Sequence, residues 1–460
     1  MTRRRLAHII AMIFLGLLLG SAGFTLVQAS PRTVDIPPEY QRLYSSLKVN
    51  LDNFDSYLNS QPMAANYPVV FAAELLPAND NRGTDLLKPQ ALQSTVMYLD
   101  RLQELGVQAV TLPIGYPLYT PNFPHYQDYV QFYRQVAQEV TKRGMKIDIE
   151  SAVIFANTPF SKLNVSYAGL TFDQFKSERK QMVATIVQDL HPDYLNLGAE
   201  PDTETQLLGM KELSSPEKYT EYITYVLNGL ERGDTKIGAG IGSWGNQEYV
   251  NGLVNTNLDS IHIHVYPVTG RFLQNINTIA GTAKQHGKLV VLDEAWLYKT
   301  DTPTSNSVAS SPEVFRRDVY SFWAPLDQQF LAALVKAAQV AKIDYVSPFW
   351  TTFFFGYVDY DSGTAQLHYG QLVTLLNQNA ASNIVADQFT STGQFYGALI
   401  ANAAANFTSS SSMQQPTFTN HSATERKFPG LLLVITAVTI AAPFALALLT
   451  RARKGRNGKR

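Results

Sequence analysis

Tyr194-Leu195-Asn196-Leu197-Gly198-Ala199-Glu200-Pro201 is an apolar run that closes on a carboxylate and then on a proline, whose missing N–H stops a β-ladder. A second run, Val290-Val291-Leu292-Asp293-Glu294-Ala295-Trp296, closes in the same manner, with Glu294 in the place of Glu200. Outward from these two, short β-rich runs alternate with amphipathic stretches of helical period. The pattern predicts strands over 69–75, 107–114, 145–154, 194–200, 236–241, 260–266, 289–294 and 345–352. It predicts helices over 86–105, 127–142, 172–190, 216–230, 247–254 and 272–285, and in parts of 312–341. Gly106 and Arg143-Gly144 stand as helix stop signals.

Eight strands separated by helices, without a sequence repeat, point to one (β/α)8 TIM barrel of the α/β class. The competing open, doubly wound sheet lacks the support of a glycine-rich dinucleotide loop. The two opening runs are then strands four and seven. Period-two alternation assigns Asn196, Gly198 and Glu200, and likewise Val290, Leu292 and Glu294, to the barrel interior. Chemistry in such barrels sits at the C-terminal ends of the strands, where both glutamates fall.

Paired carboxyl groups across a cleft suit glycoside hydrolysis. One gives a proton to the leaving oxygen, and the other, ionised, attacks or activates water. The charge on one raises the pKa of the other, and no cofactor is needed. A retaining pair stands about 5–5.5 Å apart and an inverting pair beyond about 6.5 Å.

The two strand ends resemble those of glycoside hydrolase clan A, the retaining (β/α)8 glycosidases that include cellulases, mannanases and galactanases. The resemblance implies that Glu200 is the acid/base and Glu294 the nucleophile. His262-Ile263-His264-Val265-Tyr266-Pro267 resembles the clan's His-x-Tyr element, which implies that Tyr266 sits beside the nucleophile. Pro348-Phe349-Trp350 resembles the strand-eight tryptophan that floors the sugar site. The resemblance spans roughly 69–352, and its specificity lies in four short pieces in the right order. One departure matters: the clan usually places asparagine before the acid/base, against the sugar 2-hydroxyl, and this chain has Ala199. Losing that hydrogen bond weakens transition-state stabilisation by as much as several kcal/mol. The strand-two arginine and strand-three histidine that several clan families use are also not found.

The candidate substrate-binding residues are His264, Tyr266, Trp296, Trp350, Trp244 and Glu150. Trp296 and Trp350 flank strand ends, where an indole offers a sugar platform, and serve equally well as core. Tyr116, Tyr119 and Phe123 follow strand two and fit a loop surface better than a subsite. Asp148 and Glu150 share one face of strand three, as part of the cleft or as an alternative Asp-x-Glu acid centre of the substrate-assisted kind. His262 and His264 are spaced for one side of a strand, but without a His-Glu-x-x-His arrangement no metal is expected.

Composition narrows the field further. The 460 residues are 45% hydrophobic and 16% charged, which allows a large core and excludes a disordered chain. With no cysteine, disulfides, iron–sulfur clusters and thiol nucleophiles are excluded as well. Nine of the 37 basic residues lie in the two end segments, leaving 28 against all 38 acids between them, a net charge of −10. An acidic body argues against nucleic acid as a partner.

The ends predict topology. Arg3 to Arg5, an apolar core over 9–20 and Val27-Gln28-Ala29 give segment 1–29 the form of a signal peptide, or of an uncleaved anchor. Segment 428–450 runs 23 residues without a charge and is followed by a basic tail over 451–460. That reads as a transmembrane helix in the lipid bilayer with the body outside the cell. Between them lie an N-terminal extension (30–66), the barrel domain (67–408) and a Ser/Thr-rich stalk (409–427). The expected protein is an exported, membrane-tethered glycosidase acting on β-linked carbohydrate. Ala199 also admits a carbohydrate-binding surface protein that has lost turnover, and an acceptor sugar in place of water would make a transglycosylase.

Overall fold

The computed structural model describes residues 35–64, 67–266, 270–300 and 312–411. Eight parallel strands close into a barrel in sequence order. They are β1 (Val70–Glu74), β2 (Ala109–Pro113), β3 (Lys146–Glu150), β4 (Tyr194–Asn196), β5 (Lys236–Gly242), β6 (Ser260–Val265), β7 (Leu289–Ala295) and β8 (Tyr345–Pro348). Each predicted strand is present, and β4 ends at Asn196 instead of residue 200.

Helices cover the outside. After α1 (Gln41–Asn59) come α2 (Pro89–Glu104), α3 (Tyr126–Lys142), α4 (Phe172–Leu190), α5 (Pro201–Leu208) and α6 (Pro216–Leu227). The second half adds α7 (Gln247–Leu253), α8 (Gly270–Gln285), α9 (Pro312–Asp318), α10 (Ala324–Ala341), α11 (Tyr369–Val385) and α12 (Ser391–Ser411). Four of these, α1, α5, α11 and α12, fall where no helix is predicted. Helix α1, within the expected extension, buries Leu43, Leu47, Leu51, Phe54 and Leu58 on one stripe. It packs on α8 and α10, and Lys336 on α10 reaches Asp55 at 2.6 Å. Helix α12 packs on α10 and sends the Tyr396 hydroxyl to the Ala72 carbonyl at 2.7 Å. It runs to Ser411, so the first three residues of the expected stalk are helical.

Segments 1–29 and 428–450, expected as signal and span, lie outside the described residues. Among the described residues no helix is long and apolar enough to cross a membrane.

The barrel interior has two halves. Ala72, Ala109, Tyr194, Val291 and Tyr345 pack as an apolar floor, with Val70 and Leu289 against it. Above it the filling turns polar: Thr111, Asp148, Asn196, His262 and Asp293 are all fully buried. Each strand offers alternate residues inward, so polar ones here follow directly from Lys-Ile-Asp-Ile-Glu on β3 and Ser-Ile-His-Ile-His on β6.

On β7 the expected phase is wrong. Val291 belongs to the floor and Asp293 bonds across the interior to Asn196 (2.6 Å) and His262 (2.7 Å), so Val290 and Leu292 face outward. The reason is a bulge: β6 advances two residues from His262 to His264 while β7 advances three, from Val291 to Glu294. The extra residue turns Glu294 back towards the interior just after Asp293.

Candidate active site

Glu200 reaches the cleft through a turn that replaces the expected end of strand four. Gly198 takes φ +140°, and a Cβ there would stand 2.8 Å from Glu204 Oε1 and 2.9 Å from the Tyr219 hydroxyl, so glycine is required. Pro201 then opens α5, and Glu200 is the residue before it. The Glu200 side chain does not cap the helix. Instead Oε1 lies 2.9 Å from His264 Nδ1, and Oε2 lies 2.6 Å from the Thr203 hydroxyl.

Buried Arg179 on α4 anchors this turn. Its guanidinium donates to the Leu197 carbonyl at 2.8 Å, to the Ser151 hydroxyl at 3.0 Å and to the Ser151 carbonyl, joining the ends of β3 and β4. Helix α4 is set by a Thr171–Gln174 capping box.

Glu294 arrives from the opposite side through the β7 bulge. Tyr266 donates to its Oε2 at 2.5 Å, and His264 Nδ1 lies 3.3 Å from that oxygen. Both glutamates thus meet one imidazole nitrogen, and both line one cleft at the mouth of the barrel.

Tyr266, Trp244, Trp350 and Glu150 line the same cleft. Trp244 is held by its Nε1–H on Asp202 at 2.9 Å. It has room because Gly242 lacks a Cβ, which would come within 2.4 Å of the indole. His264 is buried beneath the acids and is not on the cleft wall, so its expected contact with substrate is corrected to a contact with the two glutamates. Trp296 is corrected too. It is fully buried, stacked on Phe353 at 5.3 Å and outside the cleft. Tyr119 packs against Tyr126 and Tyr133, and Tyr116 donates to Glu178 at 2.6 Å; neither lines the cleft.

Several cleft residues escape the sequence reading. Tyr298 stacks on Tyr266 at 4.3 Å, Phe315 meets Trp350 at 5.2 Å, and Glu74 and Asp80 close the β1 side. Glu74 ends β1 as Glu150 ends β3, so the strand-end rule could have found it. Tyr298 and Phe315 follow no strand pattern.

Charge is concentrated here. Burial pulls the His264 imidazole down, but Glu294, Asp293 and Glu200 around it outweigh this and hold it well above its usual value, as an imidazolium. Burial, then the neighbouring Glu294, pushes Glu150 well above the carboxylate range. Burial pushes Glu294 up as well, opposed by His264 and by the hydrogen bond from Tyr266. On the β1 side burial raises Glu74 to about 8 and Asp80 to about 6.

Two buried triads offer metal-ligand atoms within 4.8 Å of one another: Asp148, His262 and Asp293, and above them Glu150, His264 and Glu294. The absence of a His-Glu-x-x-His arrangement does not reveal them, since their members come from three strands.

Solved glycosidases resemble this chain. An exo-β-1,4-mannosidase from an Opitutaceae bacterium, strain TAV5, matches with 13% identity and a TM-score of 0.45 over 74% of this chain. The chain spans 60% of that mannosidase's length. A GH5_18 protein from Bifidobacterium longum subsp. longum matches at 13% identity and a TM-score of 0.45, over 73% of this chain and 79% of its own. A family 1 β-glucosidase from Thermotoga maritima matches at 11% identity and a TM-score of 0.42, over 74% and 97%. No family model and no curated protein matches the sequence.

Proposed function

We propose that this chain is a retaining glycoside hydrolase that cuts β-linked oligo- or polysaccharide, with Glu200 as acid/base and Glu294 as nucleophile. The observation that carries the reading is the meeting of both carboxylates on His264 Nδ1, at 2.9 and 3.3 Å, in one aromatic-walled cleft. Two oxygens that share one hydrogen-bonding nitrogen are close enough for a retaining pair and leave little room for the water an inverting pair holds between them.

In the first step Glu294 attacks the anomeric carbon as Glu200 gives its proton to the departing glycosidic oxygen. In the second, Glu200 takes a proton from water, whose oxygen attacks the anomeric carbon and frees Glu294. Tyr266 and His264 orient Glu294 and oppose the upward push of burial on its carboxyl group. Trp244, Trp350 and the Tyr266–Tyr298 stack supply flat apolar faces for sugar rings.

Ala199 supports the second reading, a binding protein without turnover. Its methyl is fully buried, so position 199 offers nothing to a sugar 2-hydroxyl. We further propose export and tethering outside the cell, on the strength of the apolar segments and basic flanks at both ends.

Incubation with a panel of β-linked glycans tests the activity. Reducing sugar released by wild type and abolished by Glu294→Gln supports the glycosidase; binding without release supports the second reading. Protease treatment of intact cells, leaving only the C-terminal tail protected, tests the tether.

A further inference from the structure

One corner of the cleft carries more positive charge than its acids answer. Arg82, in the β1–α2 loop, and Lys162, in the β3–α4 loop, both line the cleft. The Arg82 Nε–H is buried without an acceptor, and among the described residues its guanidinium makes no ion pair. Burial pulls its pKa down, and the carboxylate that opposes this is Asp85. Asp85 is already engaged: Lys162 pairs with it, and Lys88 reaches it at 2.6 Å. Arg82, Lys88 and Lys162 thus have one carboxylate between them, in a chain whose body is acidic overall.

The two loops are built against each other. The Lys162 amide donates to the Asn81 carbonyl at 2.8 Å, and the Phe155 amide to Asn81 Oδ1 at 3.1 Å. Gly83, at φ +55°, lies against Leu163, which a Cβ would meet at 2.9 Å. Arg82 and Lys162 therefore belong to one clamped rim of the cleft. Lys162 also lines the neighbouring groove walled by Phe123, Asn164 and Tyr167, so the corner is reached from outside.

A guanidinium withdrawn from water without an acceptor is costly, and an anion relieves that cost. Neutral sugar hydroxyls need no cation to bind them. The planar fork of an arginine matches the paired oxygens of a carboxylate or a sulfate, and a lysine adds a point charge. The acids beside the corner do not stand in the way: burial raises Glu74 to about 8 and Asp80 to about 6, so both hold their protons at pH 5.

We infer that the cleft takes an anionic glycan, whose carboxylate or sulfate is bound by Arg82 with Lys162 beside it. The inference rests on the glycan-cleaving reading of the cleft and adds the charge of the sugar recognised.

The test uses β-linked hexasaccharides of gluco, manno and galacto configuration, each in three forms: neutral, oxidised at C6 to the uronic acid, and sulfated at O6. Each is titrated calorimetrically at pH 5 into full-length Glu294→Gln, and wild type is assayed for release of reducing sugar from the same set. For at least one backbone an anionic form should bind about tenfold or more tightly than its neutral counterpart, with the preference shrinking as salt is added. Whether the uronate or the sulfate gains identifies the group. Adding Arg82→Gln should lower the anionic-to-neutral ratio about tenfold, whereas a merely structural arginine would weaken both forms alike. Should that variant fail to fold, Lys162→Gln should lower the ratio about threefold. No preference for an anionic form on any backbone, or a preference that survives Arg82→Gln, overturns the inference. Neutral forms cleaved without anionic preference would leave the glycosidase standing and remove this inference alone; Arg82-dependent binding of an anionic form that wild type does not cleave would do the reverse.

Discussion

Tyr266 gives its phenolic hydrogen to Glu294 Oε2 across 2.5 Å, tying the residue after β6 to the bulged end of β7. A hydrogen bond to a charged group contributes about 1.5–3 kcal/mol. Tyr266→Phe should therefore lower kcat/KM roughly 10- to 100-fold. The ring still stacks on Tyr298, so the melting temperature should hardly move. Steady-state kinetics beside a thermal melt decides this; a large stability loss would show that the phenol is structural.

Two tryptophans separate binding from packing. Trp244 lines the cleft and Trp296 is buried against Phe353. Trp244→Ala should raise KM about tenfold with little effect on folding. Trp296→Ala should lower unfolding free energy by roughly 3–5 kcal/mol. Equal effects of the two on KM would contradict the corrected place of Trp296.

Gly238 makes room for the His262 ring, since a Cβ there would stand 2.2 Å from it and 2.3 Å from the Ser260 hydroxyl oxygen. Gly238→Ala must push His262 off Asp293 or move the β5 backbone. A destabilisation of about 3 kcal/mol or more is expected, in urea denaturation, with activity lost in the fraction that remains folded.

Buried acids set the direction of the pH response. Glu74 is raised to about 8, Glu204 to about 7 and Asp80 to about 6, each chiefly by burial. The unfolded chain releases these protons near pH 4 to 5, while the folded chain keeps them to the higher values. Folded protein thus binds more protons across that window, so stability should fall as pH rises from about 5 to about 8. The urea midpoint followed over that range tests this, and Glu204→Gln should flatten the slope below about pH 7. A midpoint that rises with pH would be the opposite sign.

The strand-and-helix alternation of the barrel was legible because each strand is a short β-rich run and each outer helix has one apolar face. Helix α1 precedes the repeating unit, so the alternation does not predict it, although its stripe of Leu43, Leu47, Leu51, Phe54 and Leu58 is visible in the sequence. The two glutamates were legible from their place at strand ends, but the route of each was not. Gly198 turns out of β4 and an extra residue enters β7, and such one-residue events shift side-chain phase without changing the apolar pattern. The two buried triads draw on three strands at once and have no local signature.

The two-storey filling of the barrel has a consequence for its motion. Opening the floor of Ala72, Ala109, Tyr194, Val291 and Tyr345 exposes apolar surface, whereas wetting the storey above it hydrates acids and imidazoles that gain from solvent. The mouth can breathe while the base stays shut. Amide protons near the β3, β6 and β7 ends should exchange through this partial opening long before those of the base, which wait for the whole wheel of strands to come apart.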